Sequence, residues 1–410
     1  MNKDGKILLL ARIARGIGYG FLSVVLAIYL KLVGIDEVGI GIILTATLVS
    51  SAVFTILTSI LERKFGRKRL LVLFAALMSL AGGIFIVSTN YAALLIAALI
   101  GTINVTGTEV SPFLSVEQAI IPQTCKQERR TLAFAWYGVG GTLASSAGAL
   151  MSGLPSVLQS NGLTLLGSFK PLFGIYVLMG VTTLLLYMNL SGAVESPALL
   201  QSKRAASSPL SPESRRVVAN LSGLFALDSF GGGFVLQSFV SYWFYVRFGA
   251  SLAQVSLVFF GAGVLTALSF LAAQRLATRI GLVNTMVFTH LPSNVLLMLV
   301  PFAPNLVGAM ALYLGRMALS QMDVPTRQSY IAAIVSPEER VAAASYTNIS
   351  RNLAQAVSPS FAGYALRFLS LSFPFIIGGG MKIVYDIMLY ANFRALRSPE
   401  ELEAEASKRK

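Results

Sequence analysis

Asp323 and Arg327 stand four residues apart in SQMDVPTRQSY (320–330), with Arg316 two turns upstream and the apolar runs LVGAMALYLG (306–315) and IAAIV (331–335) on either side. An acid four positions before a base shares its helix face in the favourable order. At membrane depth a lipid-exposed charge costs roughly 2.5–3.5 kcal/mol or more. The pair is therefore either a self-neutralising unit that makes buried charge tolerable or an ion pair that breaks and reforms as the protein works. Pro325, between them, removes a backbone hydrogen bond and predicts a bend in one continuous helix. Other ionisable groups sit in apolar runs in the same way: Arg12, Arg15, Glu109, Glu117, Asp228, His290, Arg351, Lys382 and Asp386.

Depth sorts these groups. At about 1.5 Å per residue, Asp228, Asp323 and Glu109 lie roughly 16–18 Å inside their helices. With Arg316 and Arg351 they form a middle layer where solute and protons would bind. Arg12, Arg15, Glu117 and Arg327, with the loop residues Glu128, Arg130, Glu338 and Arg340, form a lower layer that reads as an inside gate closed by ion pairs. Asp228 has no partner in its own helix, and Arg15 is the nearest candidate. Lys382 and Asp386, four apart, read as a structural pair, and His290 reads as a satisfied histidine.

The elements that must position these groups follow from composition. The chain has 410 residues, 55% of them hydrophobic and 12% charged, with mean hydropathy +0.71. Soluble domains carry about 25% charged residues, so this is a polytopic, all-α membrane protein. Twelve spans are expected, near 7–31, 39–61, 69–89, 93–120, 131–155, 170–190, 216–246, 252–277, 283–303, 306–334, 340–368 and 373–394. The basic runs RKFGRKR (63–69), KQERR (126–130), KR (203–204), RR (215–216) and KRK (408–410) all fall on one side of these spans. They place both termini in the cytoplasm. The net charge of +14 is thereby a topology signal, with no nucleic-acid partner expected. Residues 191–215, rich in Ser, Pro and Ala, read as a flexible cytoplasmic linker between halves 1–190 and 216–394, and 395–410 as a cytoplasmic tail. One cysteine excludes an intramolecular disulfide and one histidine excludes a His-cluster metal site. With no ATP-binding loop and no nucleophile elbow, neither an enzyme nor a cofactor is expected.

The halves read as a repeat. At an offset of 215, Gly16, Gly18, Gly34, Leu61 and Gly66 meet Gly231, Gly233, Gly249, Leu276 and Gly281. At 210, Gln118, Glu128, Arg130, Leu143, Ala144 and Gly153 meet Gln328, Glu338, Arg340, Leu353, Ala354 and Gly363. Such parallel repeats build many secondary transporters. The loop SILERKFGRK (59–68) resembles the signature of the major facilitator superfamily, with Lys64, Gly66, Arg67 and Lys68 matching. Ser59 and Arg63 stand where the family has Gly and Asp, and Glu62 is placed to substitute for the acid. QRLATRIG (274–281) is a weaker copy, matching at Arg279 and Gly281.

The resemblance covers essentially the whole chain and is most like the drug/proton-antiporter type of efflux carrier. It implies two pseudo-symmetric six-helix bundles, with the first, fourth, seventh and tenth helices lining a central cavity. The function expected is alternating-access transport in the cell membrane by a monomer, coupled to protons and exporting a small organic compound. Three midplane acids against two arginines point to a cationic or neutral solute. The competing readings are uptake of an organic anion held by Arg15, Arg316 or Arg351, and a non-transporting sensor on the same fold.

Overall fold

A computed structural model describes residues 1–107, 109–126, 129–195, 210–336 and 339–394. Every regular element among them is helical: α1 (Lys3–Leu32), α2 (Glu37–Phe65), α3 (Arg67–Val87), α4 (Tyr91–Ile100), α5 (Pro112–Ile120), α6 (Arg130–Met151), α7 (Leu154–Ser160) and α8 (Lys170–Met188) in the first half. The second half contains α9 (Pro212–Phe234), α10 (Gln237–Phe248), α11 (Leu252–Ile280), α12 (Leu282–Leu299), α13 (Leu306–Ser320), α14 (Asp323–Ile334), α15 (Arg340–Phe368) and α16 (Phe373–Phe393). Short polar side chains start several of them. Asp36, Asn90 and Asn305 accept backbone N–H bonds at the first turns of α2, α4 and α13.

Eight stretches among the described residues are long and apolar enough to cross a membrane. Two expected spans, 93–120 and 306–334, are each broken into two shorter helices. In the second, Pro325 does not bend a continuous helix. It lacks the N–H that would bond the carbonyl of Gln321, and its ring would strike that carbonyl. The helix therefore stops at Ser320 and restarts at Asp323, with Val324 bonding Gln321 over a tighter turn at 3.3 Å. In the first, Pro112 opens α5, and the irregular chain before it turns at Asn104, whose amide oxygen accepts from the Thr106 N–H (2.9 Å) and hydroxyl (2.8 Å). Such local bonding competes with the helix ladder. The expected span 216–246 is likewise split, at Val235–Leu236, after the Gly231–Gly233 run.

The chain packs into two compact units that do not coincide with the sequence halves. The first joins Met1–Pro197 to Val235–Val264 and Ala356–Leu371; the second holds Ala198–Phe234, Leu265–Gln355 and Ser372–Lys410. In the first, α1 packs against α6, α8 and α10, and α3 against α8. In the second, α16 packs on α9 and α12, and α12 on α13 and α14. Outward-facing Leu268, Leu271 and Phe302 are 57%, 66% and 67% exposed, as a lipid-facing surface requires.

Gly66 and Gly281, matched in the repeat, each join two helices with φ of +82° and +89°; Gly34 and Gly249, also matched, have φ of +93° and +62°. The repeat is thus visible as backbone conformation. At the first signature loop, Glu62, the acid placed to substitute for the missing one, pairs with Arg67 at 2.6 Å. A second carboxylate, Glu195, accepts from the backbone N–H groups of Arg67 and Lys68, both at 2.8 Å. Lys68 donates to the Leu190 carbonyl (2.7 Å), while Lys64 and Arg279 are exposed. The N-terminal part of the linker is therefore anchored rather than flexible: Ser191 also donates to Asp4 from its N–H (2.9 Å) and its hydroxyl (2.6 Å). Residues 196–209 of the linker and the tail 395–410 lie outside the described residues.

The Gly66 backbone (φ +82°, ψ 159°) belongs to glycine almost alone, and a methyl there would lie 2.8 Å from both Glu195 carboxylate oxygens. Gly66→Ala is expected to lower stability by about 1–3 kcal/mol. Gly83→Ala, where nothing lies within 4 Å, should be neutral or slightly stabilising. Thermal unfolding in detergent separates the two.

Candidate functional site

Asp228 lies on α9, 4% exposed. The sequence leaves it without a partner in its own helix and points to Arg15; the structure gives each its own. The Lys382 ammonium donates to Asp228 at 2.6 Å, Arg327 approaches its other oxygen at 3.6 Å, and His290 Nε2 lies 3.7 Å away. Lys382 and Asp386 do not pair with each other. Although four apart on α16, they are drawn to different neighbours, because burial rewards the partner that satisfies each charge best. Asp386 faces His290 Nδ1 at 2.8 Å and accepts from Asn294 at 2.9 Å. The ionisable chain thus runs Lys382–Asp228–His290–Asp386 across α16, α9 and α12, and the histidine is part of it rather than an isolated satisfied ring.

The expected Asp323–Arg327 pair is present at 2.8 Å. Arg327 is shared, reaching both Asp323 and Asp228, and its guanidinium stacks over Phe225 at 5.4 Å. Phe225, Arg327, Gln328, Arg340, Asn348 and Arg351 line a cavity. Arg351 Nε donates to Ser229 at 3.0 Å. Arg316, 8% exposed, donates to the Met317 sulfur at 3.2 Å, and its Nε has no hydrogen-bond partner among the described residues.

The first unit holds a second ion cluster. Arg15, fully buried, pairs with Glu117 at 2.5 Å. Glu117 also accepts from the hydroxyls of Tyr137 (2.5 Å) and Tyr187 (2.8 Å). Glu109 is not a mid-helix acid. It sits in the non-helical segment between α4 and α5, so helical rise does not give its depth, and its carboxylate pairs with Arg12 and with Arg15 (3.2 Å). The middle and lower layers read from sequence thus merge in this half. Glu117 is buried with tyrosines instead of lying at an interface. Of the loop residues assigned to the gate, Arg130 and Arg340 are exposed at the starts of α6 and α15, and Glu128 and Glu338 lie outside the described residues.

Sequence reasoning passed over two further features. Tyr242 on α10 donates to Glu37 at 2.6 Å, where Lys31 (2.7 Å) and Arg367 (3.6 Å) also converge. Ser238 and Ser241 donate to the α1 carbonyls of Ser23 and Val24 at 2.7 and 2.6 Å. These join segments of both sequence halves within the first unit. The available signal was polar residues at helical spacing, Gln237 and Ser238 standing four and three positions before Ser241. The other feature is Glu339, beside the gate pair. It accepts from the Ser211 N–H (2.5 Å), the Ser214 hydroxyl (2.7 Å) and Ser336.

The sequence matches the family model of the Major Facilitator Superfamily over residues 8–320 and 224–410. The chain belongs to this superfamily. It is 27% identical over 422 residues to the uncharacterized membrane protein YJR124C of Saccharomyces cerevisiae, across 96% of this chain and 94% of that protein. Its fold is similar to a mutant of the nucleoside transporter NupG (TM-score 0.75, 13% identity, 95% of this chain and 100% of that one). It is also similar to a D-xylose-proton symporter (TM-score 0.74, 15% identity, 95% and 97%). Membership in this superfamily supports membrane transport.

Removing one partner of a buried ion pair costs about 3–5 kcal/mol, whereas replacing both is far milder. Lys382→Met is therefore expected to destabilise strongly, and Asp228→Asn added to it to recover most of the loss, read as Tm in detergent. At Glu339 the Ser211 N–H, followed by the Ser214 hydroxyl, pushes the carboxyl from 4.5 down to about 2. A depressed acid stabilises above its unfolded value and loses that contribution as pH falls. The Tm gap between the protein and Glu339→Gln should be full above pH 4.5 and close as the pH is lowered toward 2.

Proposed function

We propose that this superfamily member is a proton-coupled secondary transporter of a small organic solute, working by alternating access. In this reading the chain spans the cell membrane twelve times as a monomer, with halves 1–190 and 216–394, the linker 191–215 between them, and both termini in the cytoplasm. The supporting observation is the shared Arg327. Its guanidinium holds Asp323 at 2.8 Å and reaches Asp228 at 3.6 Å, and it also lines the cavity.

Protonating Asp228 removes the charge that Lys382 and Arg327 both face. Arg327 then keeps Asp323 alone, and its position at the cavity wall changes with the proton. His290 and Asp386 supply the neighbouring proton-bearing groups. Linkage makes the effect reciprocal: whatever the proton does to solute affinity, the solute does to proton affinity. The proposed direction is export, as the resemblance to efflux carriers implies, and the sign of the driven flux tests it.

The test is flux in proteoliposomes under an imposed pH gradient, with a hexose, tetraphenylphosphonium and succinate as probe solutes and an internal pH dye. A gradient-driven flux that Asp228→Asn loses, while retaining gradient-independent exchange, is the expected result. An Asp228→Asn protein that accumulates solute like the wild type would make the cluster a structural brace.

A further inference from the structure

The cavity in the second unit has a one-sided charge. Three of its lining residues are arginines, Arg327, Arg340 and Arg351, and among the described residues none of those lining it is acidic. Arg327 is already engaged by Asp323 and Asp228. Arg351 is not: its Nε is tied to the Ser229 hydroxyl at 3.0 Å, which fixes the plane of the guanidinium, and no described carboxylate pairs with its terminal nitrogens. Arg316, also in this unit, lies buried with no hydrogen-bond partner at its Nε. The Arg351 guanidinium is half-buried at the cavity wall, and its terminal nitrogens, which no described carboxylate contacts, are placed for a ligand oxyanion to complete.

We infer that this cavity binds the transported solute as a small organic anion, its oxyanion taken by Arg351. This names the solute class of the transport reading above and rests on it. A guanidinium fixed at Nε presents two parallel N–H groups, the geometry that carboxylates and phosphate monoesters accept. Asn348 and Gln328 line the same cavity as neutral amides for a second polar group, and Phe225, already under Arg327, offers a ring face for the organic part. Arg327 joins the anion to the proton-bearing cluster, because the nitrogen that faces Asp228 belongs to a side chain of the cavity wall.

The test is equilibrium binding to the detergent-solubilised full chain by calorimetry, with benzoate and succinate as carboxylates, phenyl phosphate and glucose 6-phosphate as phosphate esters, and benzamide and glucose as neutral counterparts. At least one anion is expected to bind and its neutral counterpart not to. Arg351→Gln should weaken that anion by about ten- to a hundredfold, the worth of a charge-assisted hydrogen bond, and Arg351→Lys by less. The carboxylate and phosphate arms identify which oxyanion the site takes. Neutral compounds binding as well as anions, or an Arg351→Gln protein that folds and binds unchanged, would overturn the assignment. The reading of the transport cycle stands or falls separately: neutral solute driven by the pH gradient sinks the anion site alone, whereas Arg351-dependent anion binding without any driven flux sinks the transport coupling alone.

Discussion

Burying charge in a helical protein surrounded by lipid is costly unless the charge meets an opposite one or a hydrogen-bond partner. That constraint orders this molecule. Arg15 is fully buried because Glu117 meets it, and Glu117 is fully buried because two tyrosine hydroxyls complete its shell. Asp228 is buried because Lys382 reaches in from α16. The packing of α16 on α9 and α12 is accordingly more than apolar contact, since this helix supplies both the cation for Asp228 and, through Asp386, the acid for His290. Without a hydrophobic driving force between helices in lipid, small residues and such polar bonds decide which faces meet.

The backbone breaks follow from the same economy. Chain that leaves the helix at membrane depth must be satisfied by protein. The non-helical stretch before α5 is bonded by its own Asn104, and Glu109 within it is bonded by Arg12 and Arg15. These interruptions also explain why two expected spans fail as single apolar helices. The sequence shows their cause in Pro112 and Pro325 but not their extent. A proline states that one hydrogen bond is missing, and the tertiary surroundings decide whether the helix bends or stops.

Local pairs were legible and remote ones were not. Asp323–Arg327 follows from spacing on one helix, and the φ-positive glycines at 66 and 281 follow from the repeat. By the same spacing rule Lys382 and Asp386 should pair, and they do not, because the rule prices an exposed helix and says nothing about competition from a neighbouring one. Glu195 looked like the start of a loose linker, yet it closes the first signature loop. Tyr242 and Glu37, 205 positions apart, carry no periodic signal that joins them.

The two halves solve the constraint with opposite signs. At the repeat offset of 210, Glu117 corresponds to Arg327. In the first half the base is on α1 and the acid on α5; in the second the acid is on α9 and the base on α14. The inversion has unequal consequences. Glu117 meets Arg15 and two tyrosines and is finished as a closed brace. Arg327 has two acids to serve, Asp228 needs Lys382 as well, and beyond them Arg316 and Arg351 keep guanidinium groups that no described carboxylate meets. Arg15 is shared as well, between Glu117 and Glu109, so what sets the second half apart is the cations left over rather than the sharing. On the reading proposed above, those are the groups on which a proton or a bound anion acts.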